Sequence, residues 1–96
     1  MAKGPAEAEI RFFDSDLKNQ LKAGKILDRS ANFPPPANYG KTKLRLEMLS
    51  RENPSKIKVE LLGNHPRVLR KGDRFAVLEG KNILASGIVR KEPENK

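Results

Sequence analysis

The stretch Arg67-Val-Leu-Arg-Lys-Gly-Asp-Arg-Phe-Ala-Val-Leu-Glu-Gly-Lys-Asn-Ile-Leu-Ala-Ser-Gly-Ile-Val-Arg90 decides the fold of this chain. Two apolar runs, at 75–78 and 83–89, flank a turn at 79–82. Short runs rich in Val, Ile and Phe between Gly and Asn residues are typical of paired strands. Glycine takes positive φ without steric cost, and asparagine tolerates it better than most residues. With a second turn at 71–73, the stretch predicts a meander of antiparallel strands.

Working outward, two more segments alternate between apolar and charged residues, at 41–49 and 56–61. A period of two indicates a half-buried strand, and the turn-forming residues between these segments predict a hairpin. Residues 7–13 predict the first strand. An acidic start and a glycine stop predict at most one short helix, near 15–23.

The remaining segment has weaker signals. Residues 25–28 predict either a brief strand or the exit of the helix. Phe33-Pro34-Pro35-Pro36 predicts an extended connector, because successive prolines supply no backbone donors. Six or seven short strands in so short a chain favour closure, which removes exposed sheet edges. The expected fold is mostly β, a small antiparallel, Greek-key-like β-barrel.

The length and composition of the chain limit the number of domains and the kinds of site that it can contain. The 96 residues predict one barrel domain over 7–91, with a flexible leader at 1–6 and a polar tail at 92–96. There is no cysteine, which excludes disulfides and thiolate metal sites. The sequence shows neither a signal-peptide pattern nor an apolar run near the ~20 residues that span a bilayer. We therefore expect a cytoplasmic protein without membrane contact.

The sequence offers little for catalysis. Its single histidine, His65, lies in a predicted turn before Pro66. The serines lack a nucleophile-elbow context, and the glycine–lysine pairs lack the leading glycine of a phosphate loop. The carboxylates at 14, 16 and 28 do not match a calcium-loop spacing, so turn and cap roles are expected. We expect no enzyme activity, no cofactor, no metal and no nucleotide site.

Positive charge is concentrated in the middle of the chain. Residues 41–74 contain ten basic and four acidic residues, a net +6 out of +8 for the whole chain. This excess fits either an anionic partner or a solvated face that keeps the protein soluble. If the strands at 41–49 and 56–61 pair, their outer surface carries five basic side chains: Lys41, Lys43, Arg45, Lys56 and Lys58.

Such a face suits contacts with phosphates, which bind through charge without reading sequence. Tyr39 is the evident candidate for stacking on a base, because Phe12, Phe33 and Phe75 are expected in the core. Tracking of an RNA backbone or recognition of helix shape is therefore favoured over base readout.

Several residues in and beside the opening stretch form a known pattern: His65-Pro66, Gly72, Arg74-Phe75-Ala76, Glu79-Gly80 and Gly87-Ile88-Val89. In these positions the chain resembles the closing segment of the third domain of elongation factor Tu, a small antiparallel β-barrel shared with elongation factor 1-alpha. Ala8-Glu9-Ile10, Pro34 and Tyr39 resemble earlier strands of that domain.

The resemblance implies a translation-factor barrel. In that family the domain helps to hold the T-stem of aminoacyl-tRNA, packs against the GTPase domain and contacts the exchange factor. The loop Gly80-Lys81-Asn82 corresponds by position to a family loop near the tRNA backbone. Residues 39–41 correspond to the start of a second family region near the tRNA backbone.

The chain also departs from the family pattern. Lys81 and Asn82 stand where the family has glycine and arginine, the segment between 39 and 65 is shorter, and residues 14–32 are expanded. Without a GTPase domain or a middle barrel, nucleotide hydrolysis is not carried over. Two functions are expected: a stand-alone barrel that binds tRNA or rRNA through its basic face, or a module that docks on a translation GTPase or another protein. A fragment of a larger factor is a third possibility.

Overall fold

Six strands and one helix form within residues 5–35, 40–63 and 69–93, which the computed structural model describes. In chain order they are β1 (Ala6–Phe12), α1 (Ser15–Lys22), β2 (Leu27–Phe33), β3 (Gly40–Met48), β4 (Lys56–Leu62), β5 (Arg74–Glu79) and β6 (Asn82–Lys91). Around the closed barrel the order is β1-β4-β3-β2-β5-β6, and each of the six pairs is antiparallel. The expected fold, a small antiparallel barrel with one short helix, is confirmed.

The barrel closes through its first strand. β1 pairs with β4 from Ala6 to Glu9 and with β6 from Glu7 to Phe12. The consecutive strands β2, β3 and β4 form a meander, and β1 returns beside β4, which is the Greek-key arrangement. Each described strand therefore has a neighbour on both sides, and their backbone donors and acceptors are used within the sheet.

Alternation in sequence becomes alternation between the inside and outside of the barrel. Leu44 and Leu46 of β3 and Ile57 and Val59 of β4 are fully buried, as their period of two predicts. The rings of Phe33 and Phe75 pack together, with centroids 5.5 Å apart. These side chains form a core of aliphatic residues around two aromatic rings.

The helix begins and ends where the sequence predicts. Asp14 is its N-cap, in extended backbone, and its carboxylate accepts a hydrogen bond from the Leu17 amide at 2.9 Å. Leu17 and Leu21, four residues apart, are buried against the barrel. An eight-residue helix is marginal in isolation, so this apolar stripe provides its stability. The expected cap role of Asp14 is confirmed.

The segment after the helix differs from the prediction. Residues 25–28 were expected to form a brief strand or a helix exit, but β2 continues to Phe33, which is buried. The connector therefore begins at Pro34. The strand has a weak signal because Arg29 holds the position where an inward apolar residue is expected, between Leu27 and Ala31. The predicted contact Tyr39, the turn at His65 and Pro66, and most of the leader and tail lie outside the described residues.

The stretch that decides the fold forms the β5–β6 hairpin. Its turn is Gly80-Lys81, closed by the pair Glu79 and Asn82. Gly80 has φ +61°, the positive value that tight hairpin turns require at their first central residue. The predicted hairpin and its turn are confirmed, but the predicted meander is not, because the described residues before β5, 69–73, form a turn and no strand.

A second glycine in this hairpin is needed for space. Gly87 lies opposite Phe75, and a Cβ atom at Gly87 would come within 2.4 Å of Cζ of the Phe75 ring. Phe75 is 2% exposed and packs on Phe33, so its ring has little room to move. The glycine of the Gly-Ile-Val segment therefore allows the buried Phe75 ring to pack directly against the backbone of β6.

Gly87→Ala is expected to destabilise the fold by about 1–3 kcal/mol, the usual cost of overpacking a core. The free energy of unfolding, measured by urea denaturation and circular dichroism, checks this. In a Phe75→Leu background the same substitution should cost less, because leucine lacks the ring atoms that clash. Ser86→Ala, on the outward side of the same strand, serves as the control. Equal costs for Gly87→Ala in both backgrounds would contradict the steric explanation.

Candidate nucleic-acid interface

Pairing of β3 with β4 brings the five predicted basic residues to the outer face of the hairpin. Lys41, Lys43 and Arg45 lie on the outward side of β3, opposite the buried Leu44 and Leu46 in the alternation. Lys56 and Lys58 hold the equivalent side of β4. The predicted hairpin and the outward direction of its basic side chains are confirmed.

The structure also brings carboxylates to this face, which the sequence interpretation did not anticipate. Arg45 forms a two-pronged contact with Asp28 of β2, with Nε–Oδ1 at 2.8 Å and Nη2–Oδ2 at 3.2 Å. It also lies opposite Glu60 in the β3–β4 register. Lys58 contacts its cross-strand neighbour Glu47 at 3.3 Å. Two of the five predicted cations are therefore engaged within the protein.

The ion pairs continue across the neighbouring strands. Glu7 of β1 lies opposite Lys58 in the register and contacts Lys91 of β6 at 3.7 Å. Glu9 lies opposite Lys56 and contacts Arg90 at 3.4 Å. The face formed by β6, β1, β4 and β3 thus carries rows of alternating charge, and an incoming phosphate would meet a carboxylate beside each of these paired cations.

The contact with Arg45 changes the pKa of Asp28. Its pKa lies below the ordinary value of 3.8, chiefly because the Arg45 side chain donates a hydrogen bond to the carboxylate, with further attraction from Arg45, Lys43 and Arg29. The same hydrogen bond raises the pKa of Arg45. Both side chains are nearly half exposed, at 47% for Arg45 and 43% for Asp28, so salt weakens the pair.

The cations near Gly40 have different surroundings. Lys41 lies opposite Asn32 of β2, and Lys43 lies between Ser30 of β2 and Leu62 of β4. Within the described part of the chain, neither lysine forms an ion pair. The residues directly opposite them on β2 are neutral hydrogen-bonding groups, and the nearest carboxylate to Lys43 on that strand, Asp28, is held by Arg45.

The rows that contain these lysines carry no carboxylate among the described residues. One row runs across β3, β2, β5, β6 and β1 as Lys41, Asn32, Ala76, Ser86 and Arg11. The next runs across β4, β3, β2, β5 and β6 as Leu62, Lys43, Ser30, Leu78 and Ile83. We call these two rows the acid-free belt.

The Gly80–Lys81 turn borders the acid-free belt. Leu78 and Ile83, which flank the turn, belong to the same row as Lys43, and β2 is the strand between β3 and β5. With strands about 4.8 Å apart, Lys43 and Leu78 are about 10 Å apart in backbone position. The exposed Lys81 therefore extends the belt, whereas Arg45 and Lys58 belong to the ion-paired face.

The structure narrows the predicted site in this way. It places Lys41 and Lys43 beside Ser30 and Asn32 of β2, which the sequence interpretation omitted because β2 itself was poorly marked. Lys81 lies in the turn that follows Leu78, which is in the same row as Lys43. The structure leaves Lys56 at the opposite end of the hairpin, near Glu9. Alternation alone shows which side chains face outward, but only the register shows which carboxylate neutralises which cation.

Two further properties of the described residues bear on function. In these parts of the chain, no cluster of three or more His, Asp or Glu side chains is arranged to hold a metal ion. The helix that they contain is too short and too polar to cross a membrane.

Comparison with known proteins adds no assignment: neither a protein-family model nor a curated protein matches this chain. The resemblance to the third domain of elongation factor Tu therefore remains a prediction from the residues at 65–89. A six-stranded barrel is the fold that the resemblance implies, but small barrels serve many functions and the fold is not specific to that family.

The lowered pKa of Asp28 predicts a pH dependence of stability. A carboxylate whose pKa is lower in the folded state stabilises the fold above its unfolded value, near 3.8, and this contribution is lost as the pH falls through the folded value. Asp28→Asn should therefore lower the melting temperature at about pH 7 and have a shrinking effect below about pH 4.

Melting curves of both proteins between about pH 7 and pH 2 check this expectation. Glu52→Gln, a substitution of an exposed carboxylate in the turn after β3, is the control. A difference between Asp28→Asn and the parent protein that stays constant down to the lowest pH would show that the Arg45 contact does not stabilise the fold.

Proposed function

We propose that this protein binds structured RNA, of the tRNA or rRNA type, through contacts of the acid-free belt with the phosphate backbone. The observation that carries the proposal is the separation of charge on the barrel. Carboxylates pair with cations on the β6–β1–β4–β3 side, while Lys41 and Lys43 remain unpaired within the described residues, beside Ser30 and Asn32.

The chemistry of the belt suits phosphates. Lysine ammonium groups neutralise phosphates, and hydroxyl and amide side chains donate hydrogen bonds to phosphate or sugar oxygens. Lys81, in the hairpin turn, supplies a third cation at the border of the same surface. Such contacts follow the shape of an RNA helix and do not read bases, as the scarcity of aromatic residues in the sequence also predicts.

The resemblance to the elongation factor Tu family supports the same partner class. Of the positions that the resemblance assigns to tRNA contact, Lys41 belongs to the belt and the turn at 80–82 borders it in the register. We therefore place the protein, as a proposal, among translation-related RNA-binding proteins that act in the cytoplasm without catalysis, a cofactor or a nucleotide site of their own.

Removing the two unpaired lysines tests the proposal. The double variant Lys41→Gln/Lys43→Gln should bind tRNA more weakly than the parent, because two phosphate contacts are lost. The slope of log K against log salt should become shallower by about 1.4–1.8, since each contact contributes about 0.7–0.9. Fluorescence anisotropy with labelled tRNA, titrated at several salt concentrations, measures both quantities.

Lys25→Gln/Arg51→Gln is the matched control, because it removes the same charge from two exposed residues outside the belt. An equal loss of tRNA affinity in the two double variants would show that binding depends only on net charge. It would contradict a defined binding surface. If the parent protein shows no tRNA or rRNA binding at low salt, the RNA proposal fails, and docking on a translation GTPase or another protein becomes the better explanation.

A further inference from the structure

A second cationic surface lies on the outer face of β5, β6 and β1. It is a groove of about 570 Å³, within the range of ligand sites in proteins. Its charged lining residues are Arg11, Glu9, Arg74 and Arg90. The register places Arg74 opposite Ile88 and Ile88 opposite Glu9, with Arg11 opposite Ser86 in the next outward row. We call this site the arginine groove.

Two of its three arginines are free to bind a ligand. Arg90 is engaged by Glu9 at 3.4 Å. Arg11 and Arg74 have no carboxylate partner among the described residues. The guanidinium of Arg11 lies over the Phe13 ring, 5.7 Å from its centroid, which restricts the side chain while its N–H groups remain available. A restrained arginine loses less entropy when it binds a carboxylate or a phosphate.

The remaining lining favours a peptide over a nucleic acid. Ile88 lies between the charged residues as a half-buried aliphatic surface, and Glu9 is part of the lining. A phosphate backbone gains nothing from the aliphatic surface of Ile88, whereas Glu9, which is paired with Arg90, does not distinguish a phosphate from a carboxylate. An acidic segment that also carries an aliphatic side chain satisfies both the arginines and Ile88.

The closed sheet determines how such a segment can bind. The six described strands leave no open edge, so a peptide cannot add as a further strand and must be recognised through its side chains. Arg11 and Arg74 are separated by two strand spacings and two residues along the strands, about 12 Å in backbone position. In an extended peptide, side chains four residues apart lie on one face and are about 13 Å apart.

We propose that the arginine groove binds an extended acidic segment of a partner protein, with two carboxylate side chains four residues apart and an aliphatic side chain midway between them. The carboxylates pair with Arg11 and Arg74, and the aliphatic side chain packs on Ile88. The groove shares Arg11 and Ser86 with one row of the acid-free belt, but neither Lys41 nor Lys43 lines it. Variants of Arg74 and Arg11 therefore test the peptide site, and variants of Lys41 and Lys43 test the RNA surface.

Binding of a labelled peptide to the full chain tests the proposal. The probe is a fluorescein-labelled nonapeptide with the core Glu-Ser-Leu-Ser-Glu, and its anisotropy is titrated at low salt. We expect a Kd of about 10–100 µM, typical of a short exposed contact. A peptide with both glutamates replaced by glutamine, and one with leucine replaced by serine, should each bind at least tenfold more weakly.

Matched protein variants locate the contact. Arg11→Glu/Arg74→Glu should weaken binding at least tenfold, the milder Arg11→Gln/Arg74→Gln should also weaken it, and Lys41→Glu/Lys43→Glu should leave it within about twofold. Circular dichroism confirms that each variant is folded. The glutamine pair keeps the test valid if charge reversal unfolds the protein.

Three results would overturn the proposal. The first is no saturable binding of the Glu-Ser-Leu-Ser-Glu peptide at millimolar concentration. The second is an equal loss of peptide binding in the arginine and lysine variants. The third is a loss of tRNA affinity in the arginine variants as large as in the lysine variants, which would make the groove part of the RNA surface. Failure of tRNA binding alone would leave the groove proposal standing.

Discussion

Closure of the sheet by β1 is the constraint on which the rest of this structure depends. The strand pairs with β4 on one side and β6 on the other, so it joins the Greek-key meander to the C-terminal hairpin. Without it both β4 and β6 would present open edges. Closure also fixes the inward side of each strand, and Gly87 lets the Phe75 ring fill the interior where the wall would otherwise be too close.

Closure of the sheet also determines which charged side chains lie next to each other. Antiparallel register across β6, β1, β4 and β3 sets acids beside bases, from Lys91 and Glu7 to Lys58 and Glu47. Each exposed pair contributes little to stability, but the pairs remove most of the positive potential from that side. The net charge of +8 is therefore not spread evenly over the barrel. Among the described strand residues, cations without a carboxylate partner lie on the acid-free belt and in the arginine groove, which differ in the ligand that their neutral residues favour.

The sequence predicts the fold well and the site only in part, for a physical reason. Period-two alternation at 41–49 and 56–61 and the glycine turn at 79–82 are local signals, and each produced the expected strand or turn. β2 was harder to predict, because Arg29 interrupts its inward apolar positions. The Arg45–Asp28 contact joins residues 17 apart through a strand pairing that no local pattern reveals. The basic side chains of the predicted face point outward as expected, and two of the five are paired with carboxylates, which the sequence did not predict.

We propose that carboxylate pairing, and not the number of lysines and arginines on a strand, decides which surface of this barrel binds RNA. Nuclear magnetic resonance of the nitrogen-15-labelled full chain, titrated with a short RNA hairpin at low salt, tests it most directly. The account predicts amide shift changes confined to residues 30–32 and 41–43 and to the turn at 80–82, with the β1–β4 face unchanged. Shift changes centred on Lys56 and Lys58 would contradict it.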